Sequence, residues 1–114
     1  MSADADAVGS DPNQHDADPM AIDRVVHEPA RMAILSVLDG VEEADFVFLQ
    51  RALGLTKGNL SAHLTKLENA GLVASSKAFV NRVPRTRLRI TTDGKRARGR
   101  HWEQLQALRH LGDG

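Results

Sequence analysis

Residues 55–73 read LTKGNLSAHLTKLENAGLV, and residues 80–96 read VNRVPRTRLRITTDGKR. In the first stretch Leu60, Leu64 and Leu67 recur at i, i+4 and i+7, which predicts a helix over about 57–70 with a single apolar stripe. Thr56 suits its N-cap and Gly71 its C′ position. The opposite face presents Lys57, Asn59, Ser61, Ala62, Thr65 and Lys66, with no acid before Glu68. An ordinary solvated helix face carries several glutamates. This one has what entry into a DNA major groove requires: small residues for close approach, amide and hydroxyl groups for base edges, and lysines for phosphates. The backbone N–H groups at 56–58, at the start of the helix, are also available to a phosphate.

Working outward, Leu53-Gly54-Leu55 ends a preceding helix at about 45–53, with Asp45 as its expected N-cap and Phe46, Leu49 and Leu53 facing inward. Upstream, Pro29 suits the first turn of a helix carrying Met32, Ile34, Leu35, Val37 and Leu38, which stops at Gly40. A shorter amphipathic segment with Ile22, Val25 and Val26 precedes it, and 41–44 reads as an acidic connection. Downstream of Gly71 the period changes to two. Residues 72–80 and 85–91 are expected strands joined by Asn81-Arg82-Val83-Pro84, and alternation sends Arg85, Arg87 and Arg89 to one side, away from Thr86, Leu88 and Ile90. A last helix, capped by Thr91 or Thr92, is expected from about 93 to 111. The order helix, helix, helix–turn–helix, hairpin, helix implies a small α+β domain over 20–111. An acidic disordered tail is expected over 1–19, and a flexible end over 112–114.

The 114 residues, 41% of them apolar, suffice for one modest core. The net charge of zero conceals an asymmetry. Residues 1–50 hold eleven acids against Arg24 and Arg31, whereas 51–114 hold thirteen bases against Glu68, Asp93, Glu103 and Asp113. A basic half points to a polyanionic partner or to a basic surface. Absent cysteine excludes disulfides, thiolate metal sites and thiol nucleophiles. No apolar run is long enough for a membrane span, and the aspartate-rich N-terminus is the opposite of a signal peptide, so a cytoplasmic protein is expected, nucleoid-associated if the polar helix face over 57–66 meets DNA.

The pattern NLSxHLxKLExAGLV with PRTxxxxT and a following glycine resembles the winged helix-turn-helix transcriptional regulators of the MarR/ArsR-like group. HEPARMAILSVL (27–38) resembles the first core helix of that group. The resemblance covers about 20–111. It implies that 57–70 is the recognition helix and 72–91 the wing, with DNA contacts from Thr56, Lys57, Asn59, Ser61, Thr65 and Lys66 and, on the wing, from Arg82, Arg85 and Arg87. Metal sensors of the ArsR branch use cysteines in the recognition region, and this chain has none.

Other chemistry finds little support in the residues. His63 has no acid or second histidine at i+3 or i+4, which favours a packed, hydrogen-bonded histidine over a metal ligand. His101 and His110 are expected on opposite sides of the last helix. No serine has a recognisable His and Asp partner, and Glu42, Glu43 and Asp45 cluster only in a connection, so no enzyme activity, metal or cofactor is expected. Trp102, Leu105, Leu108 and Leu111 exceed what so small a core can bury and are expected to form a homodimer seam. The rival reading is a winged-helix module that docks on protein without reading bases. It would need apolar anchors on the outward face of 57–66, where only Ala62 is apolar. An RNA-binding role lacks an exposed aromatic platform.

Overall fold

The computed structural model describes residues 19–113. The acidic tail therefore lies outside the described residues, apart from Pro19, which opens the first helix. The elements in chain order are α1 (Pro19–Val26), α2 (Pro29–Asp39), β1 (Ala44–Asp45), α3 (Phe46–Leu53), α4 (Lys57–Asn69), β2 (Val73–Val80), β3 (Val83–Ile90) and α5 (Thr92–Asp113). The α+β class expected from the sequence holds. The last helix continues to Asp113, two residues beyond the expected end at 111.

One core joins all the layers. Ile34, Leu35 and Leu38 of α2, Leu49 of α3, and Leu60 and Leu67 of α4 are fully buried, together with Leu72 before β2 and Leu88 of β3. Each such side chain contributes about 1.5–3 kcal/mol by leaving water. This places α4 with its leucine stripe inward and its polar face free.

The end of α4 is locked geometrically. Gly71 sits at φ 77°, the Leu72 amide donates to the Leu67 carbonyl at 2.9 Å, and the Gly71 amide donates to the Glu68 carbonyl at 2.9 Å. This is the Schellman arrangement, completed by the buried contact pair Leu67 and Leu72. Thr91 then ties the start of α5 to the same corner. Its hydroxyl donates to the Gly71 carbonyl at 2.7 Å and accepts from the Gly94 amide at 3.0 Å. Gly94 is buried, and a Cβ there would collide with the Leu72 carbonyl oxygen and the Ile90 side chain.

The sheet departs from expectation in two ways. It has three antiparallel strands in the order β1-β3-β2, because Ala44 and Asp45 pair with Leu88 and Arg87. Two residues are too few to show alternation, so the sequence reads them as a connection. Second, Val80 pairs with Val83, so the wing tip is the two-residue turn Asn81-Arg82 instead of a four-residue link, and β3 starts at Val83. Asn81 and Arg82 have φ of 53° and 68°, the two positive values of a type I′ turn whose twist matches that of the strands. Pro84 fits because it pairs with Phe79, one step from the hydrogen-bonded Val80–Val83 pair. Its missing N–H therefore points away from β2, and β1 pairs only with Arg87 and Leu88.

Candidate nucleic-acid interface

On α4, Lys57, Gly58, Asn59, Ser61, Ala62, Thr65 and Lys66 are all exposed or nearly so, as the inward leucine stripe requires. Thr56 is the N-cap, its hydroxyl oxygen accepting from the Asn59 amide at 3.1 Å. The Thr65 hydroxyl donates to the Ser61 carbonyl at 2.9 Å, which leaves its methyl group and an oxygen lone pair outward. The Asn59 side-chain amide and the Ser61 hydroxyl have no partner among the described residues. The acid at the end of the helix, Glu68, is engaged: the Ser75 hydroxyl of β2 donates to it at 2.7 Å, which also sets the helix against the wing.

A cleft of about 610 Å³ opens between α4 and the wing. Lys57, Ser61 and Thr65 line one wall, and Lys77 and Thr86 line the other. Lys77 and Thr86 are cross-strand partners on the same sheet face as Leu88. Neither stands out in the sequence as a candidate contact. Alternation places Thr86 on the core side, but Lys77 is aligned with it only once the length of the tip turn is known.

The arginines of β3 lie on the other sheet face, as their alternation predicts. Two of the candidate contacts are occupied there. Arg85 Nη1 donates to Asp45 Oδ2 at 3.1 Å, and Arg87 Nη1 donates to Glu43 Oε1 at 3.0 Å. Asp45 stands at the N-cap of α3, yet its carboxylate makes no capping bond and serves Arg85 instead. Arg82 is exposed at the wing tip and has no carboxylate partner among the described residues.

The charge asymmetry is partly consumed inside the fold. Besides Arg85 and Arg87, Arg98 pairs with Asp39 at 3.1 Å, Lys95 reaches the same carboxylate at 4.0 Å, and Arg100 pairs with Asp23 at 3.2 Å. Acids of the first half thus fold back onto bases of the second. Among the described residues of α4 and the wing, the cations left without a carboxylate are Lys57, Lys66, Lys77, Arg82 and Arg89. The basic half is therefore no uniform basic surface: five of its unpaired cations lie on α4 and the wing, and Arg51 of α3 and Arg109 of α5 also lack a carboxylate partner among the described residues.

His63 is held by the scaffold, as expected, with Arg31 Nη1 donating to its Nδ1 at 3.2 Å. Arg31 also donates to the Val25 carbonyl at 2.6 Å, and its backbone N–H is accepted by Glu28 at 2.9 Å. That N–H, foremost, holds the Glu28 carboxyl below its ordinary range. An unanticipated contact joins the turn after α1 to α5: His27 Nδ1 lies 3.1 Å from His101 Nδ1, so one ring donates to the other. Burial, with the neighbouring His27, holds His101 below the usual imidazole value, and Asp23 opposes the shift. No group of three metal-ligating side chains occurs among the described residues.

Along the second half of α5, Trp102, Leu105, Leu108 and Leu111 are 53%, 46%, 65% and 77% exposed. None of them belongs to the core of the single chain. No helix of the described residues is long and apolar enough to cross a membrane.

The sequence profile of the winged helix DNA-binding domain matches residues 30–108, from the second residue of α2 far into α5. The chain belongs to the winged helix DNA-binding domain family. An uncharacterized protein of Methanocaldococcus jannaschii is 36% identical over 72 residues, covering 63% of this chain and 78% of its own. Among solved structures, a transcriptional regulator homologue from Pyrococcus horikoshii OT3 superposes with a TM-score of 0.75 at 34% identity, covering 80% of this winged-helix chain and 90% of that one. The fold is shared also by the homodimeric winged helix-turn-helix DNA-binding domain of a possible ArsR-family transcriptional regulator from Mycobacterium bovis. There the TM-score is 0.64 at 23% identity, over 99% of this chain and 94% of that one. The family match and the shared fold agree with the winged helix-turn-helix resemblance carried by residues 55–73 and 80–96.

Proposed function

We propose that this winged-helix protein regulates transcription by binding duplex DNA sequence-specifically as a homodimer, with α4 in the major groove and the β2–β3 wing on the flanking backbone. The observation that carries the reading is the outward face of α4, which is exposed, free of acids and flanked by Lys57 and Lys66. Asn59, Ser61 and Thr65 are its base-reading side chains, and Thr56 presents the helix N-terminus to a phosphate. The Pyrococcus relative, a transcriptional regulator homologue, supports the same function.

Arg82, at the wing tip and without a carboxylate partner among the described residues, is the first wing contact. Arg85 and Arg87 join it by exchanging Asp45 and Glu43 for phosphates. The exchange costs little, because exposed ion pairs are worth about 0–1 kcal/mol. Trp102, Leu105, Leu108 and Leu111, exposed in the single chain, form the seam between two copies; a domain of the same fold from Mycobacterium bovis is homodimeric. A two-fold pair of recognition helices then meets half-sites about 34 Å apart, one turn of the duplex. Docking on protein through α4 would require apolar anchors on its outward face, where Ala62 is the one apolar side chain.

The test is selection of bound duplexes from a random pool, followed by footprinting of the recovered sequence. Two protected half-sites on one face of the duplex are expected. Recovery of no preferred sequence would refute the reading.

A further inference from the structure

We infer that the base pairs α4 reads are A·T pairs, with Asn59 on adenine and the methyl groups of Ala62 and Thr65 on thymine. The inference rests on the major-groove placement of α4 proposed above. It follows from the absence of arginine on α4 and from which polar groups the fold has already used; the free Ser61 hydroxyl pairs with either kind of base and does not discriminate.

Guanine is most often read by an arginine or a lysine on O6 and N7, and α4 contains no arginine. Its lysines stand in the first and last turns, where a flexible point charge serves phosphates better than base edges. Just ahead of Lys57 the Thr56 hydroxyl oxygen accepts from the Asn59 amide at the helix start, and between the lysines the Thr65 hydroxyl proton is spent on the Ser61 carbonyl. Thr65 therefore presents its methyl group together with an acceptor, and it cannot donate to a guanine acceptor while that bond stands. Ala62 presents a methyl group alone. Opposite the leucine stripe, Gly58, Ala62 and Thr65 lie near the centre of the outward face, and a Cβ at Gly58 would meet open space. The centre of the helix can thus approach the bases closely. Asn59, on the flank, keeps both donor and acceptor of its side-chain amide free among the described residues, the pair that matches adenine N7 and N6. Thymine in turn offers a C5 methyl to apolar groups.

The experiment uses the full chain and a duplex that it selects from a random pool, together with three forms of that duplex. These carry 7-deaza-adenine for adenine, deoxyuridine for thymine, or 7-deaza-guanine for guanine. The first removes N7, the second removes the thymine methyl, and the third removes guanine N7. Affinity should fall at least about fivefold with 7-deaza-adenine, the lower end of what a bidentate pair is worth. It should fall about fourfold for each thymine methyl that deoxyuridine takes away from Ala62 or Thr65, and 7-deaza-guanine should change it little. Asn59→Ala should abolish the response to 7-deaza-adenine, and Thr65→Ser should lessen the response to deoxyuridine. Indifference of the wild-type protein to the first two duplexes, or a larger drop on the third, overturns the inference while the selected sequence still upholds the regulator reading. A response to 7-deaza-adenine that survives in Asn59→Ala overturns the role of Asn59. A pool that yields no preferred sequence overturns both readings.

Discussion

Replacing Leu105 and Leu108 by aspartate together tests the proposed seam. In the single chain these leucines are 46% and 65% exposed, so about half of each still faces water. Full burial of a leucine is worth about 1.5–3 kcal/mol, so covering the exposed half contributes about 1 kcal/mol per side chain. Two leucines in each of two chains then supply about 4 kcal/mol, or about a thousandfold in the dimer dissociation constant. Four aspartates placed in an apolar seam add a desolvation cost on top. The folded monomer should lose less, about 0.5 kcal/mol each in helix propensity and up to about 1 kcal/mol each for the half of the side chain already covered. Sedimentation should therefore show a dimer for the wild type and a monomer for the variant at equal concentration, with nearly unchanged circular dichroism and a lower melting temperature. Binding to the selected duplex should weaken sharply, since each half-site then acts alone. Loss of fold in the variant would show that these leucines are core. A wild-type chain that stays monomeric, with and without DNA, would remove the seam altogether.

Asn59→Ala and Ser61→Ala should each cost about 1–3 kcal/mol on the selected duplex and less on random DNA; equal effects on both, read by fluorescence anisotropy, would contradict base readout by α4. Arg82→Ala should lower the slope of log K against log salt by about one unit, and Arg85→Ala should lower it less, because its guanidinium must first leave Asp45; the two salt titrations compare them directly. Gly94→Ala should destabilise the fold by about 1–3 kcal/mol in urea unfolding, since a Cβ there meets the Leu72 carbonyl and Ile90. His101 is held below its ordinary value by burial and by His27. The unfolded chain therefore takes up this proton first as pH falls, and the stability contributed by His101 is complete above about pH 6.5 and declines as pH drops toward the lower folded value. His101→Gln should flatten the dependence of the urea midpoint on pH in that acidic window, and an unaltered dependence would contradict the assignment.

Features encoded within a turn or two of chain were legible before folding. The inward stripe of Leu60, Leu64 and Leu67, the cap at Thr56, the stop at Gly71 and the alternation of Arg85, Arg87 and Arg89 are local periodicities. Each survives in the structure because local preference and global packing agree. The exposed polar face of α4 follows from the same periodicity, as does the scaffold-held His63. Tertiary structure alone decided the rest. The pairing of Ala44 with Leu88, and of Asp45 and Glu43 with Arg85 and Arg87, joins residues about forty positions apart or more, which no window of sequence aligns. The contact between His27 and His101 spans 74 positions. The tip turn belongs to the same class, because Asn81 and Arg82 take positive φ only when the twist of two paired strands selects that turn. Such partners are chosen by where the core places the chain. The charge excess visible along the sequence therefore becomes, once folded, a smaller set of unpaired cations, five of them on α4 and the wing.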